Sequence, residues 1–492
     1  MIKDYLLNEH STIRETLVVL DSAPNNLGLI VRENGRLLRT ISDGDVRRAL
    51  LAGTSLDKNI SQVPGRDPIY ALNGTSNEEL ISIMNQERVN AIVLVDDQGR
   101  PLSIQNWREL SCQILLSPPH IGETERGYVQ NAFNDNWIAP AGPNLDAFES
   151  RLSKISSHKY AVAVSSGTAG LHLALRALNL HKTKTVYVSD KTFVASAMPI
   201  LYEGLAPVFI DSEPGTWNMA PQALERRLFK DKKLGTLPGA IIIVHLYGQS
   251  ARMKEIMDIA DSYSIPVIED AAESLGANYD RQPSGAHGLI SVYSFNGNKI
   301  ITTSGGGAVV TSDSKLAEQV RSLSTQGRDP AEHYQHSKVA YNYRMSNILA
   351  GVGLGQLDVL SERVEQRRNI FSRYKDALQS MPGIEFQQDA PQSEGNRWLT
   401  VINLDPDCFN IHVYQLIRRL KKYGIETRPS WKPMHMQPLF VNNEFEPFDT
   451  DAPVSTSLYL RSLCLPSGSS MGRSDQDRVI DVLSSILAEE AK

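Results

Sequence analysis

Between residues 160 and 310 the sequence alternates short, almost wholly apolar runs with longer amphipathic ones. This rhythm constrains the fold more than any other feature of the chain. Runs rich in Val, Ile and Ala fall at 160–164, 185–188, 207–210, 240–245, 265–268, 290–295 and 308–310. Stretches with helical periodicity, such as 170–178 and 253–263, separate most of them. Strands apolar on both faces must be covered on both, so the pattern predicts an α/β fold with a mostly parallel sheet sandwiched by helices. From about 365 the pattern is mixed. Helical periodicity appears at 364–378, 412–423 and 475–488, with β-like pieces between, which predicts a smaller C-terminal α+β lobe over 365–492.

The first 110 residues read differently, as a duplicated unit. Thr12-Ile13-Arg14-Glu15 and Ser76-Asn77-Glu78-Glu79 are both capping-box signatures, and each opens an apolar helical pattern. Each leads to a β-like run (29–31, then 91–95) and turns through Gly-Arg, at Gly35-Arg36 and Gly99-Arg100. Both markers repeat with a lag of 64 residues. The first copy ends Ser42-Asp43-Gly44-Asp45-Val46-Arg47-Arg48, which resembles the end of a CBS (cystathionine-β-synthase type) domain. There Ser42 and Asp45 would hold the ribose of an adenine nucleotide; the alternative is that Asp45 only caps the helix that follows. The second copy has Asn106 where an aspartate is expected, before Trp107-Arg108-Glu109-Leu110. The reading is a CBS pair over 1–114, a Pro118-Pro119 linker, and a large α/β domain over 120–364.

Composition narrows the function classes. A net charge of −6 without a long basic run argues against a nucleic-acid partner. No apolar stretch approaches the roughly 20 residues of a membrane span, and the start MIKDYLLNEHSTIRETL lacks the core of a signal peptide. Cys112, Cys408 and Cys464 are scattered, with neither a zinc pair nor a disulfide framework. A cytoplasmic enzyme or its regulator is expected, with no metal site.

Four features sit at the ends of expected strands, where open parallel sheets bind ligands. Ser166-Gly167-Thr168-Ala169 enters a helix and could cradle a phosphate on free amides, or be a plain strand–helix turn. Thr192-Phe193 offers an aromatic ring that could lie on a heterocycle, or pack in the core. Glu269-Asp270 with Glu273 could face a pyridinium nitrogen or cap a helix; no histidine stands at metal-ligand spacing. Ser294-Phe295-Asn296-Gly297-Asn298-Lys299 places a lysine after a strand, solvated or poised for a Schiff base, with Ser294 able to reach a phosphate. Together they form the set needed to hold pyridoxal 5′-phosphate (PLP).

Residues from about 120 onward resemble the DegT/StrS family of sugar-nucleotide aminotransferases, which have the PLP fold-type-I architecture. The resemblance rests on Ser166-Gly167-Thr168-Ala169, His245-Leu246-Tyr247-Gly248, Glu269-Asp270-Ala271-Ala272-Glu273, Ser294 to Lys299 and Tyr341-Asn342-Tyr343-Arg344. Within the family the chain is most similar to a LegC-like branch, through Thr216-Trp217-Asn218, Asn298-Lys299-Ile300-Ile301-Thr302-Thr303 and Arg428-Pro429-Ser430-Trp431-Lys432-Pro433-Met434-His435. The resemblance implies that Lys299 bears the Schiff-base link, Asp270 meets the ring nitrogen, and Phe193 stacks on the ring. By the same resemblance Gly167, Thr168, Ala169 and Ser294 hold the phosphate, and Glu273 lies by the 3-oxygen. It further implies a homodimer in which Asn342 and Arg344 reach the neighbouring subunit's site, with Arg428 and His435 near substrate. The implied reaction aminates C4 of a UDP-linked 4-keto-6-deoxy-N-acetylhexosamine, with L-glutamate as donor, for bacterial surface-polysaccharide or nonulosonic acid biosynthesis. A PLP-dependent deoxysugar dehydratase of the same fold has histidine in place of the lysine, and Lys299 argues against it. A nucleotide-sensing regulator, with the CBS pair as the working part, is the other alternative.

Overall fold

The computed structural model describes residues 2–23, 27–64, 67–107 and 114–492. Cys112 and Arg108-Glu109-Leu110 of the second copy lie outside the described residues. The chain divides into two compact units, 1–113 and 114–492.

In the larger unit the seven apolar runs form strands whose ends lie within two residues of those expected from sequence. They are β1 (Tyr160–Val164), β2 (Thr185–Ser189), β3 (Ala206–Ile210), β4 (Ala240–Val244), β5 (Val267–Asp270), β6 (Ile290–Ser294) and β7 (Gly307–Thr311). An eighth strand, β8 (Glu444–Glu446), completes a sheet of order β8-β3-β2-β4-β5-β6-β7-β1. All pairings are parallel from β8 to β6, while β7 runs antiparallel to both its neighbours. β1 therefore points the same way as β6, and the carboxyl ends of β1, β2, β4, β5 and β6 share one edge. Both faces are buried, as the uninterrupted apolar runs require.

Two features link the segments on either side of residue 365. A single helix, Leu360–Leu378, runs across it, and β8 returns to pair with β3 at the edge of the large sheet. Phe440 and Met434, just before β8, are buried in the core between the sheet and the helix Gly167–Leu178. A three-residue edge strand is too short to show periodicity, so its apolar anchors carry the information instead. The small lobe is otherwise an antiparallel sheet of Ile384–Phe386, Thr400–Leu404, Ser462–Leu465 and Arg428–Pro429. The helices Val413–Lys422 and Arg473–Glu489 bury Leu416, Leu420, Val479 and Leu483 in its core.

The smaller unit keeps the 64-residue lag in its backbone. Strands Leu6–Asn8, Leu27–Val31 and Leu37–Ser42 form one sheet, and Tyr70–Leu72, Ala91–Val95 and Pro101–Asn106 form the other. Both sheets have the same parallel-then-antiparallel pairing, and a register shift falls between Ile30 and Val31 in one and Leu94 and Val95 in the other. Gly35 and Gly99 turn the hairpin of each copy at φ +79° and +78°, where a side chain would be strained. Each glycine lies against the other copy's turn arginine, Gly35 against Arg100 and Gly99 against Arg36. Leu29, Leu37, Val93 and Val95 form a shared core between the copies. The Thr12–Glu15 capping box forms in both directions, with Glu15 accepting from the Thr12 amide at 2.7 Å.

Candidate active site

The shared carboxyl edge of the large sheet opens into a cavity of about 290 Å³. Ser166, Gly167, Thr168, Phe193, Ser196, Asp270, Glu273, Ser294, Asn298, Lys299, Trp398 and Trp431 all line it. One end is the start of the helix Gly167–Leu178. Ser166 caps it, its Oγ accepting from the Ala169 amide at 3.0 Å, which leaves the amides of the first turn directed at the cavity. The glycines there are sterically required: a Cβ on Gly307 would come within 2.6 Å of the Gly167 nitrogen, and one on Gly167 within 3.0 Å of Ser294 Cβ. They let the helix start and the Ser294 hydroxyl close on one small volume, a cradle suited to a phosphate.

Asp270 ends β5 and forms the floor. Its Oδ2 accepts from Ser196 Oγ at 2.6 Å, Ser196 is bonded in turn to Thr192 Oγ1, and its Oδ1 accepts from the Ala272 amide. Burial pushes the Asp270 carboxyl up, against the opposing effect of these donors. A cation placed against it, such as a protonated ring nitrogen, would offset that cost. Successive residues on a strand face opposite sides of the sheet, so Glu269 points away. It is wholly buried and accepts from His245 Nε2 at 2.8 Å and from the amides of Gly285, His287 and Gly288. The acidic pair is thus one residue for the site and one for the fold.

Lys299 is brought to the cavity by the loop after β6. Its Nζ lies 3.5 Å from Glu273 Oε1 and 4.0 Å from the centre of the Trp398 ring. Burial raises the Glu273 carboxyl, with the Lys299 ammonium acting against it. The other Glu273 oxygen accepts from the Tyr247 amide at 2.7 Å. That amide is delivered by a turn with Tyr247 at φ +57° and Gly248 at φ +90°; a Cβ on Gly248 would overlap Asn396. Phe193 is half exposed at the cavity wall, 5.5 Å from the Trp431 ring, rather than packed in the core. A phosphate cradle, an aromatic wall, a buried carboxylate and a lysine lie around one cavity, and these residues fit PLP.

Not every residue singled out from sequence reaches this cavity. The Ala169 amide is taken by Ser166. Arg344 is nearly buried and donates to Glu149 and to the Ala163 carbonyl within this chain. Asn342 is exposed and bridges to Thr325, away from this chain's cavity. His435 is also engaged within this chain: its Nδ1 pairs with Asp190 at 2.7 Å, its Nε2 with Thr456, and its ring stacks on Phe445 at 4.0 Å. Arg428 is exposed beside Glu426 in a second cleft of about 250 Å³, which shares Asn298, Trp398 and Trp431 with the cavity.

In the smaller unit Ser42 precedes the helix Asp43–Leu51, and Asp45 Oδ2 accepts from its amide and hydroxyl at 2.9 and 2.6 Å. Burial alone would raise Asp45, but the Ser42 and Arg48 hydrogen bonds outweigh it and hold the carboxyl low. Asp45 caps the helix and also borders an open surface cleft with Thr40, Ser42 and Arg48. Ser196 and Trp398 escaped the sequence reading. Ser196 stands one helical turn after Thr192, a spacing that could have pointed to it; Trp398 comes from the small lobe with no local signal.

A mixed α/β sheet with this constellation at its carboxyl edge defines a PLP-dependent aminotransferase of fold type I. Residues 119–484 match the model of the DegT/DnrJ/EryC1/StrS aminotransferase family, and the chain belongs to that family. It is 52% identical over 371 residues to a Bacillus subtilis protein named "Putative pyridoxal phosphate-dependent aminotransferase EpsN", covering 75% of this chain and 95% of the relative. It is 34% identical to the GDP-perosamine synthase of Caulobacter vibrioides, covering 76% and 98%. Among solved structures, a DegT/DnrJ/EryC1/StrS aminotransferase from Brucella abortus superposes with a TM-score of 0.69 at 28% identity, covering 74% of this chain and 95% of that one.

Proposed function

We propose that this aminotransferase moves an amino group from L-glutamate to C4 of a nucleotide-linked 4-keto-6-deoxy sugar, a UDP-linked N-acetylhexosamine as in the LegC-like branch. The observation that carries the reading is the placement of Lys299 Nζ beside Glu273, in the same cavity as the Asp270 floor and the Gly167 helix start. When bound there, PLP supplies an electron sink for a carbanion. Asp270, desolvated and fixed by Ser196, holds a proton at the ring nitrogen. The helix-start amides of Gly167 and Thr168, with the Ser294 hydroxyl, bind the phosphate. Phe193 covers the ring. Lys299 Nζ would hold the cofactor and, as a free amine, would move a proton to and from the carbon that gains or loses nitrogen. Glu273 sets the position of that amine.

The unit over 1–113 is read as a CBS pair that binds an adenine nucleotide at Ser42 and Asp45, and the enzyme as a cytoplasmic homodimer. Support for the pair is the backbone repeat at a lag of 64; among the described residues no helix is long and apolar enough to cross a membrane. A GDP-linked substrate is the second reading, favoured by the 34% identity to a protein named GDP-perosamine synthase. Product analysis with a panel of UDP- and GDP-linked 4-keto sugars and L-glutamate separates the two. Amination of none of them would overturn the C4-aminotransferase reading.

A further inference from the structure

The first residues of the larger unit line the second cleft, beside Asn298, Trp398 and Arg428. Ile114 donates its amide to the Gly424 carbonyl and accepts from the Glu426 amide, pairing as a strand with Ile425. The Leu116 amide donates to Glu426 Oε2 at 3.0 Å, and the Leu116 carbonyl accepts from Ser467. Pro118 packs so closely on Gly468 that a Cβ there would come within 2.6 Å of its ring. At the centre of this stretch, Ser117 Oγ donates to the Asn298 carbonyl at 2.7 Å. Asn298 immediately precedes Lys299. The same carbonyl accepts from Trp398 Nε1 at 2.6 Å, and the same hydroxyl accepts from Arg367 Nη2 at 3.0 Å. Arg367 is fully buried and ties the group down through the carbonyls of Trp398 and Ser467.

A carbonyl held by two donors cannot rotate without breaking both, so the peptide that leads into Lys299 has one orientation. Trp398, whose ring lies 4.0 Å from Lys299 Nζ, supplies one donor, and Ser117 supplies the other. We propose that Ser117 is a positioning residue for Lys299, so that the stretch 114–118, where the chain enters from the N-terminal unit, is a working part of the active site. Besides the Arg367 contact, five hydrogen bonds fix residues 114–117: three tie them to Gly424 and Glu426 beside Arg428, one to Ser467, and one, from Ser117, to the loop that carries the lysine.

The inference rests on the reading that Lys299 bears the cofactor, and the test separates the two. Ser117→Ala and Ser117→Thr are prepared in the full chain, loaded with PLP and compared with Lys299→Ala. Ser117→Ala is expected to keep the visible absorption band but to move the midpoint of its pH titration by about 0.3 unit or more. It is also expected to lower kcat roughly fivefold, the effect of one hydrogen bond. Ser117→Thr, which keeps the hydroxyl, is expected to restore both. Near-UV circular dichroism checks that each variant is folded, and if Ser117→Ala does not fold the titration midpoint of Ser117→Cys, a weak donor, replaces it. A Ser117→Ala enzyme with the parent's titration and kcat would overturn the positioning role. Retention of the band in Lys299→Ala would instead overturn the underlying assignment.

Discussion

Lys191 offers the sharpest test of how the site is held. It follows β2 and its Asp190, and precedes Thr192 and Phe193 of the cavity wall. Its Nζ is fully buried, donating to Ser430 Oγ at 2.9 Å and to the Trp431 carbonyl at 3.1 Å, so it fastens the two segments that carry the aromatic rings. The charged and titratable groups facing it are Cys464, Asp190 and Asp211. Burial pushes the amine down to about 7, and the two carboxylates only partly offset this. The unfolded chain binds the proton up to 10.5, so between pH 7 and 10.5 it carries a proton that the folded chain lacks. Stability therefore rises with pH across that window, by about 1.4 kcal/mol per unit from this residue alone. Below pH 7 the amine is charged in both states, and the full deficit of roughly 5 kcal/mol is present. Lys191→Met keeps the volume and removes the titration, leaving the Trp431 carbonyl without this donor at a cost of about 1–3 kcal/mol. Urea unfolding followed by tryptophan fluorescence reports mainly the larger unit, since Trp137, Trp217, Trp398 and Trp431 lie there. From pH 7.5 to 9.0 the parent is expected to gain about 2 kcal/mol more than the variant. An equal gain in both proteins would refute the reasoning.

Other consequences follow from the same geometry. Glu269 is held well below the usual carboxylate range: burial works to raise it, but His245 and three amides outweigh that. Its contribution is therefore complete above about pH 4.5 and lost on acidification, and Glu269→Gln is expected to unfold at higher pH in an acid titration and to be about 3–5 kcal/mol less stable at neutrality. Gly307→Ala forces apart the helix start and β7, and is expected to weaken PLP binding about tenfold or more in an absorbance titration; an unchanged dissociation constant would contradict the cradle. Arg344→Ala uncovers buried Glu149 and is expected to lower the thermal midpoint markedly while leaving the KM for both substrates within about twofold, measured by steady-state kinetics.

How far the sequence alone reached depended on the length scale of each signal. β1 to β7 were legible because a strand buried on both faces must be apolar along its whole length. β8 was not, because three residues, Glu444, Phe445 and Glu446, show no period, and its place is fixed by Phe440 packing on Phe209. Gly167, Thr168, Phe193, Asp270, Glu273, Ser294 and Lys299 were legible because each ends a strand or starts the next element, and strand ends converge on one edge. Trp398 and Ser117 reach Lys299 from 99 residues after it and 182 before it, with no motif to mark them. Arg344 and His435 show the opposite case. A charged side chain in a family motif signals a ligand or an ion pair equally, and the pairing with Glu149 and Asp190 is visible only in the structure.

The central claim is that Lys299 bears the cofactor in this cavity, and the absorption spectrum of Lys299→Ala after loading with PLP tests it most directly. The parent is expected to show a visible band that shifts on addition of L-glutamate. The variant, with its circular dichroism unchanged, is expected to lack the protein-linked band and to release all its PLP on dialysis. A variant that keeps the parent's band and retains PLP through dialysis would contradict the account.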